Sequence, residues 1–67
     1  MIKASSNIQK FTYEENFNEL WVYFNNRTVY KYLDVPKEVY ENFLKADSLG
    51  KFLNSDIKPN YKYEKII

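Results

Sequence analysis

Alternation of apolar and polar side chains is strongest in the middle of the chain. In residues 19–24, Leu20, Val22 and Phe24 share one face, and Trp21 and Tyr23 share the other. In residues 28–33, Thr28, Tyr30 and Tyr32 oppose Val29, Lys31 and Leu33. This period of two marks half-buried strands. Asn25-Asn26-Arg27 joins the runs as a hairpin turn, and its length decides which faces meet. A three-residue connection sets Val22 opposite Tyr30 and Leu20 opposite Tyr32. A two-residue Asn25-Asn26 turn slips the pairing and sends the tyrosines toward the Trp21 face. The three-residue turn is preferred because it assembles one continuous apolar face, with Asn expected in the left-handed conformation.

Upstream, residues 8–13 read as a first strand in which Gln9, Phe11 and Tyr13 alternate with Lys10 and Thr12. Ile8 is out of phase with Phe11 and Tyr13, and a bulge or bend would return it to the core. Residues 14–18 form a polar turn around Phe17. Downstream, Pro36 fits the first position of a helix. Residues 37–46 continue it, with Val39, Phe43 and Ala46 at helical spacing and Tyr40 and Leu44 beside them. Glu38 and Glu41 near its start and Lys45 near its end suit the helix dipole. Asp47 or Ser48 can cap a second, shorter helix through about Leu53. Ile57 packs back, Pro59 forbids further helix, and residues 61–67 fit a terminal strand or a loose tail. The predicted fold is α+β: a three-stranded antiparallel β-meander followed by two short helices packed on one face, forming a single domain over residues 1–67.

Composition narrows the function. A domain of 67 residues buries only about 60% of its unfolded surface and is marginal alone. There is no cysteine and no histidine, so disulfides are excluded and the common zinc sets lack their ligands. Seven Tyr, five Phe and one Trp remain to build a core or an interface, and a small homo-oligomer is one outcome. Net charge is +1, too little for a nucleic-acid binder held by charge alone. The charge is unevenly placed: six basic and seven acidic residues precede Leu49, whereas Lys51, Lys58, Lys62 and Lys65 follow it against Asp56 and Glu64. The amino terminus has no apolar run, and no stretch approaches the ~20 apolar residues of a membrane span. A soluble, cytoplasmic protein without membrane association is expected. General acid–base or nucleophilic catalysis has no histidine or cysteine to serve it, and the paired Glu14 and Glu15 read as solvated. An enzyme is not expected, nor is any cofactor or metal.

An ordered set of short pieces resembles the KTSC domain family. The pieces are Ser5-Ser6-Asn7-Ile8, Tyr13, Leu20-x-Val22-x-Phe24, Tyr30-Lys31-Tyr32, Val35-Pro36, Ala46-x-Ser48-x-Gly50-Lys51-Phe52 and Ile57-x-x-x-Tyr61. The chain departs from the family pattern at Asn26, where a turn glycine is common. The family takes its name from an extension at the carboxyl end of some lysyl-tRNA synthetases and also occurs as free-standing proteins of bacteria and phages. The resemblance implies a non-catalytic domain, points to RNA through its company with a synthetase, and transfers no catalytic residues.

The sharpest candidate site is Asp47-Ser48-Leu49-Gly50-Lys51. Amide donors at a helix start attract phosphate, Gly50 permits close approach and Lys51 adds charge. A plain helix cap at Ser48, with Gly50 making room for the sheet, explains the same residues. The first functional reading is therefore a binding module for RNA or a phosphate-bearing nucleotide. In it Ser48, Gly50 and Lys51 hold phosphate, Lys58 and Tyr61 flank it, and Ser5 or Ser6 completes the site. The Tyr30-x-Tyr32 pair fits a core, with base stacking as the alternative. The second reading is a protein-interaction module. It would be a small homo-oligomer, or a phage or bacterial inhibitor of a host protein, acting through the exposed aromatic face of Trp21, Tyr23, Val29 and Leu33.

Overall fold

In the computed structural model, which describes residues 8–67, four strands form one antiparallel sheet in chain order. They are β1 (Ile8–Glu14), β2 (Glu19–Phe24), β3 (Val29–Tyr32) and β4 (Tyr63–Lys65). Helices α1 (Lys37–Lys45) and α2 (Leu49–Phe52) lie between β3 and β4 in the chain, and α2 runs directly into a π-helical turn at Leu53–Ile57. The α+β meander with two short helices is as expected. The sheet gains a fourth strand because the carboxyl-terminal segment pairs with β3 instead of trailing free: Tyr32 stands opposite Tyr63, Lys31 opposite Glu64 and Tyr30 opposite Lys65.

The central hairpin has the register of a three-residue turn. Leu20 faces Tyr32 and Val22 faces Tyr30, and the turn closes through Phe24 N–H to Thr28 O at 2.9 Å and Arg27 N–H to Phe24 O at 3.1 Å. The left-handed residue, however, is Arg27 at φ 69°, not an asparagine. The third position of this turn must take positive φ whatever residue occupies it. Asn26 serves differently: its Oδ1 accepts from the Thr28 backbone N–H at 3.2 Å and from Thr28 Oγ1 at 2.6 Å. In β1 the pairing with β2 shifts between Ile8 and Lys10, so that Ile8 comes opposite Phe24 and joins the core, as its phase required.

Side chains from one sheet face and from the helical layer close the core. Leu20, Val22, Tyr32, Val35, Phe43, Leu53 and Ile57 are each at most 2% exposed. Burial of such side chains contributes about 1.5–3 kcal/mol each before chain entropy is set against it. Phe43 is the buried residue of α1, with Val39 and Tyr40 half-buried and Leu44 exposed. Pro36 takes the capping position before α1 rather than its first helical position, with φ −63° and an extended ψ of 150°. Its missing donor is harmless at either position.

Between sheet and helix, one hydroxyl ties three segments together. Tyr13 Oη donates to Val35 O at 2.6 Å and accepts from Asn18 Nδ2 at 3.0 Å, while Val35 N–H donates to Asn18 O at 2.8 Å. Asn18 and Asp34 flank this junction at φ 54° and 57°, values that Asn and Asp tolerate better than most residues. Arg27 has no such excuse, since a left-handed residue with a Cβ costs about 1–2 kcal/mol. Arg27→Gly is therefore expected to raise the unfolding free energy by about 0.5–1 kcal/mol, after allowance for the more flexible unfolded chain. Urea denaturation measures it, and a loss of stability would contradict the assigned turn.

Candidate functional site

The helical layer covers the Leu20 and Val22 part of the inner sheet face but stops short of the hairpin end. There the structure leaves a cavity of about 340 Å³. Its aromatic walls are Phe24, Tyr30, Tyr32 and Tyr63, and its polar lining is Asn26, Thr28 and Lys58. The strands dictate this grouping. Alternation along β3 sends Tyr30 and Tyr32 to one face, and the β3–β4 register brings Tyr63 beside them. Tyr63 lies 5.2 Å from the Tyr30 ring and 5.9 Å from the Tyr32 ring, tilted 42° and 47° to them. Phe24 meets Tyr30 edge-on at 5.5 Å.

Exposure grades across these rings. Tyr32 is a core residue at 1%, Tyr30 is half-buried and Tyr63 is 57% exposed. Burial, reinforced by the neighbouring Tyr30 and Tyr63, pushes the Tyr32 hydroxyl up to about 12, so it stays protonated far above neutrality. Lys58 follows the π-helical turn, with its backbone N–H held by Leu53 O at 2.8 Å. It supplies the single charged side chain among the lining residues, and no carboxylate lines the cavity. Flat aromatic surface, neutral hydroxyls, an amide and one ammonium together suit a planar ligand carrying negative charge.

The sequence-predicted site residues fall into separate groups. Ser48 is the cap of α2: its Oγ accepts from Lys51 N–H at 3.3 Å and its carbonyl from Phe52 N–H at 3.1 Å. Gly50 and Lys51 lie within α2, and Gly50 shows no positive φ. Lys58 lines the cavity at the far end of the same helical segment, roughly 13–15 Å from Ser48 at the helical rise per residue. Tyr61 is half-buried against the core, its N–H bonded to Ile57 O at 3.0 Å. Ser5 and Ser6 lie outside the described residues. Ser48, Gly50 and Lys51 thus form one group and Lys58 belongs to another.

The opposite sheet face is not a bare aromatic patch. Val29 is 7% exposed, and the last residues of the chain bond to its backbone: Ile66 N–H reaches Val29 O at 2.7 Å. Trp21 and Tyr23 are half-buried. Lys31 Nζ lies 5.5 Å from the Trp21 ring centre, 3.5 Å from Glu19 Oε2 and 3.3 Å from Glu64 Oε1. Hydrogen bonding to Glu64 first, then the charge of Glu19, raises the Lys31 ammonium above its ordinary value. Trp21 Nε1 donates to Glu19 at 3.3 Å, and Lys10 Nζ lies 4.7 Å above the Tyr23 ring. Phe17 remains 67% exposed at the rim of a groove shared with Trp21 and Tyr23. Among the described residues no group of three or more potential metal ligands gathers, and no helix is long and apolar enough to cross a membrane.

The sequence puts Lys58 beside a phosphate at Ser48, not at this cavity, and offers Tyr30 and Tyr32 as a stacking platform only as the alternative to a core role. It missed Phe24, Asn26, Thr28 and Tyr63 as lining residues. The usable signal was the third tyrosine of a terminal segment able to pair with β3.

Residues 4–61 match the KTSC domain model. The chain belongs to the KTSC domain family. A crystal structure of a KTSC domain protein from Yersinia pestis superposes with a TM-score of 0.89 at 31% identity, covering 100% of this chain and 94% of that one. A protein of Stutzerimonas stutzeri is 38% identical over 63 residues, 92% of this chain and 89% of its own length. A lysine–tRNA ligase of Nostoc punctiforme is 36% identical over 59 residues. The match takes in 88% of this KTSC domain but only 10% of the ligase.

The raised Tyr32 value fixes a pH dependence. Between pH 10 and 12 the unfolded chain has lost a proton that the folded chain keeps, so ionisation favours unfolding. This contribution to stability is complete below pH 10 and disappears toward pH 12, an expected loss of about 2–3 kcal/mol. Urea unfolding from pH 9 to 12 should show the decline, and Tyr32→Phe should lack this part of it; equal slopes in both proteins would contradict the assignment.

Proposed function

We propose that this KTSC domain is a non-catalytic binding module for RNA or a phosphate-bearing nucleotide, with a base stacked in the tyrosine cavity and phosphate held by Lys58. The observation that carries this reading is the cavity itself: four aromatic rings, one ammonium and no carboxylate in one concave site. Base–aromatic stacking contributes about 1–3 kcal/mol per base and needs no particular base sequence. A net charge of +1 is compatible with such a site because stacking, not charge, supplies most of the affinity. Occurrence of similar segments within lysine–tRNA ligases supports an RNA ligand. Ser48, Gly50 and Lys51 would meet a second phosphate farther along a bound strand. Ser5 or Ser6 would complete the site.

A second reading uses the other face. Phe17 at 67% exposure, beside a groove of about 420 Å³ that Trp21 and Tyr23 help to line, fits a contact with another protein or with a second copy of the chain.

Fluorescence anisotropy with a labelled single-stranded RNA separates these readings. Tyr63→Ala is expected to weaken binding about tenfold, and Lys58→Ala to reduce the slope of log K against log salt by about 0.7. Trp21→Ala should leave both unchanged. RNA affinity insensitive to Tyr63 and Lys58 would contradict the first reading. A concentration-dependent dimer in light scattering, dissociated by Phe17→Ala, would establish the second.

A further inference from the structure

The tyrosine cavity carries more information about its ligand than its aromatic character. Its volume of about 340 Å³ lies near the lower end of small-molecule sites, which run from about 300 to 1,000 Å³. That volume suits one base rather than a run of stacked bases. One ammonium lines it, which matches one phosphate and leaves a polyphosphate uncompensated.

The hairpin end adds direction. A backbone N–H can only donate, so the atom of Asn26 facing Thr28 N–H must be its oxygen. Oδ1 takes that bond at 3.2 Å and the Thr28 hydroxyl at 2.6 Å. The amide orientation is thereby fixed, and the Asn26 NH₂ group is turned away from Thr28 as a donor. Thr28 Oγ1 gives its proton to Asn26 and keeps its lone pairs as an acceptor. The turn thus leaves an amide donor on Asn26 and a hydroxyl acceptor on Thr28, both of them lining residues of the cavity, and the pair is opposite in kind to the acceptor and donor on the pairing edge of a nucleobase.

We infer that the cavity takes a single nucleotide unit with one phosphate, its base edge met by Asn26 and Thr28 and its phosphate by Lys58. This rests on the nucleotide-binding reading above and narrows it. Uracil and adenine both offer an adjoining donor and acceptor, so the site is tolerant of base identity. A sugar phosphate without a base has nothing to stack on Tyr30 and Tyr63.

Isothermal titration of the full chain with uridine 5′-monophosphate, adenosine 5′-monophosphate, ribose 5-phosphate and a ten-nucleotide single-stranded RNA tests this. Both mononucleotides should bind with one site per chain, ribose 5-phosphate at least tenfold more weakly, and the ten-mer no more than severalfold more tightly. Asn26→Asp keeps an oxygen facing Thr28 but replaces the amide donor with a negative acceptor. It should weaken mononucleotide binding at least tenfold at an unchanged melting temperature. Should that variant melt early, Thr28→Val, which keeps a branched strand residue but removes the acceptor, should weaken binding likewise. Binding of the ten-mer without the mononucleotides would overturn this inference and leave the broader reading standing. Ribose 5-phosphate binding as tightly as the mononucleotides, or full affinity in a folded Asn26→Asp protein, would also overturn it. Silence from all four probes would overturn both.

Discussion

Pairing of Leu20 with Tyr32 and of Val22 with Tyr30 governs what each sheet face can do. Side chains alternate strictly along a strand, so this register commits both tyrosines to the inner face and Lys31 to the outer one. It holds because the three-residue turn closes with Arg27 left-handed and Asn26 bonded to Thr28. A slip of one residue would bury Lys31 and carry Tyr32 out of the core. The same turn therefore supports the hydrophobic cluster beneath the helices and places the aromatic walls of the cavity.

The two faces resolve their aromatic load in different ways. On the outer face, lysines lie over the rings of Trp21 and Tyr23, and Lys31 bridges Glu19 of β2 and Glu64 of β4. Ion pairs with one side open to water add little stability, but these bring charge to a face that would otherwise be apolar. On the inner face, helices cover the rings until the π-helical turn ends at Ile57. Beyond it the aromatic surface continues without a helical cover, and Lys58 stands at the boundary. A cavity arises there because the sheet is longer than the layer that covers it.

Much of this architecture was legible in the sequence, and for identifiable reasons. The β2 and β3 alternations, the phase error at Ile8 and the helical spacing of Val39 and Phe43 each report a local period, and each is present in the fold. β4 left no comparable trace: its three residues are all exposed, so no alternation marks it, and its existence depends on the edge that β3 offers. Arg27 was not legible as the left-handed residue because turn geometry, not residue preference, selected that position. Lys58 was readable as a basic residue, but beside Ser48. Its place in one cavity with Tyr63 was not legible, since that cavity forms only after β4 has paired. Ser48 drew attention as a helix cap, and it is one.

The central claim is that the hairpin end of the inner face is the binding site of this KTSC domain. A crystal structure of the protein grown with uridine 5′-monophosphate tests it most directly. The account predicts a base stacked on the exposed face of the Tyr63 ring in the cavity, with its phosphate beside the Lys58 ammonium. A nucleotide lodged instead at Ser48 and Lys51, or on the Trp21 face, would contradict it.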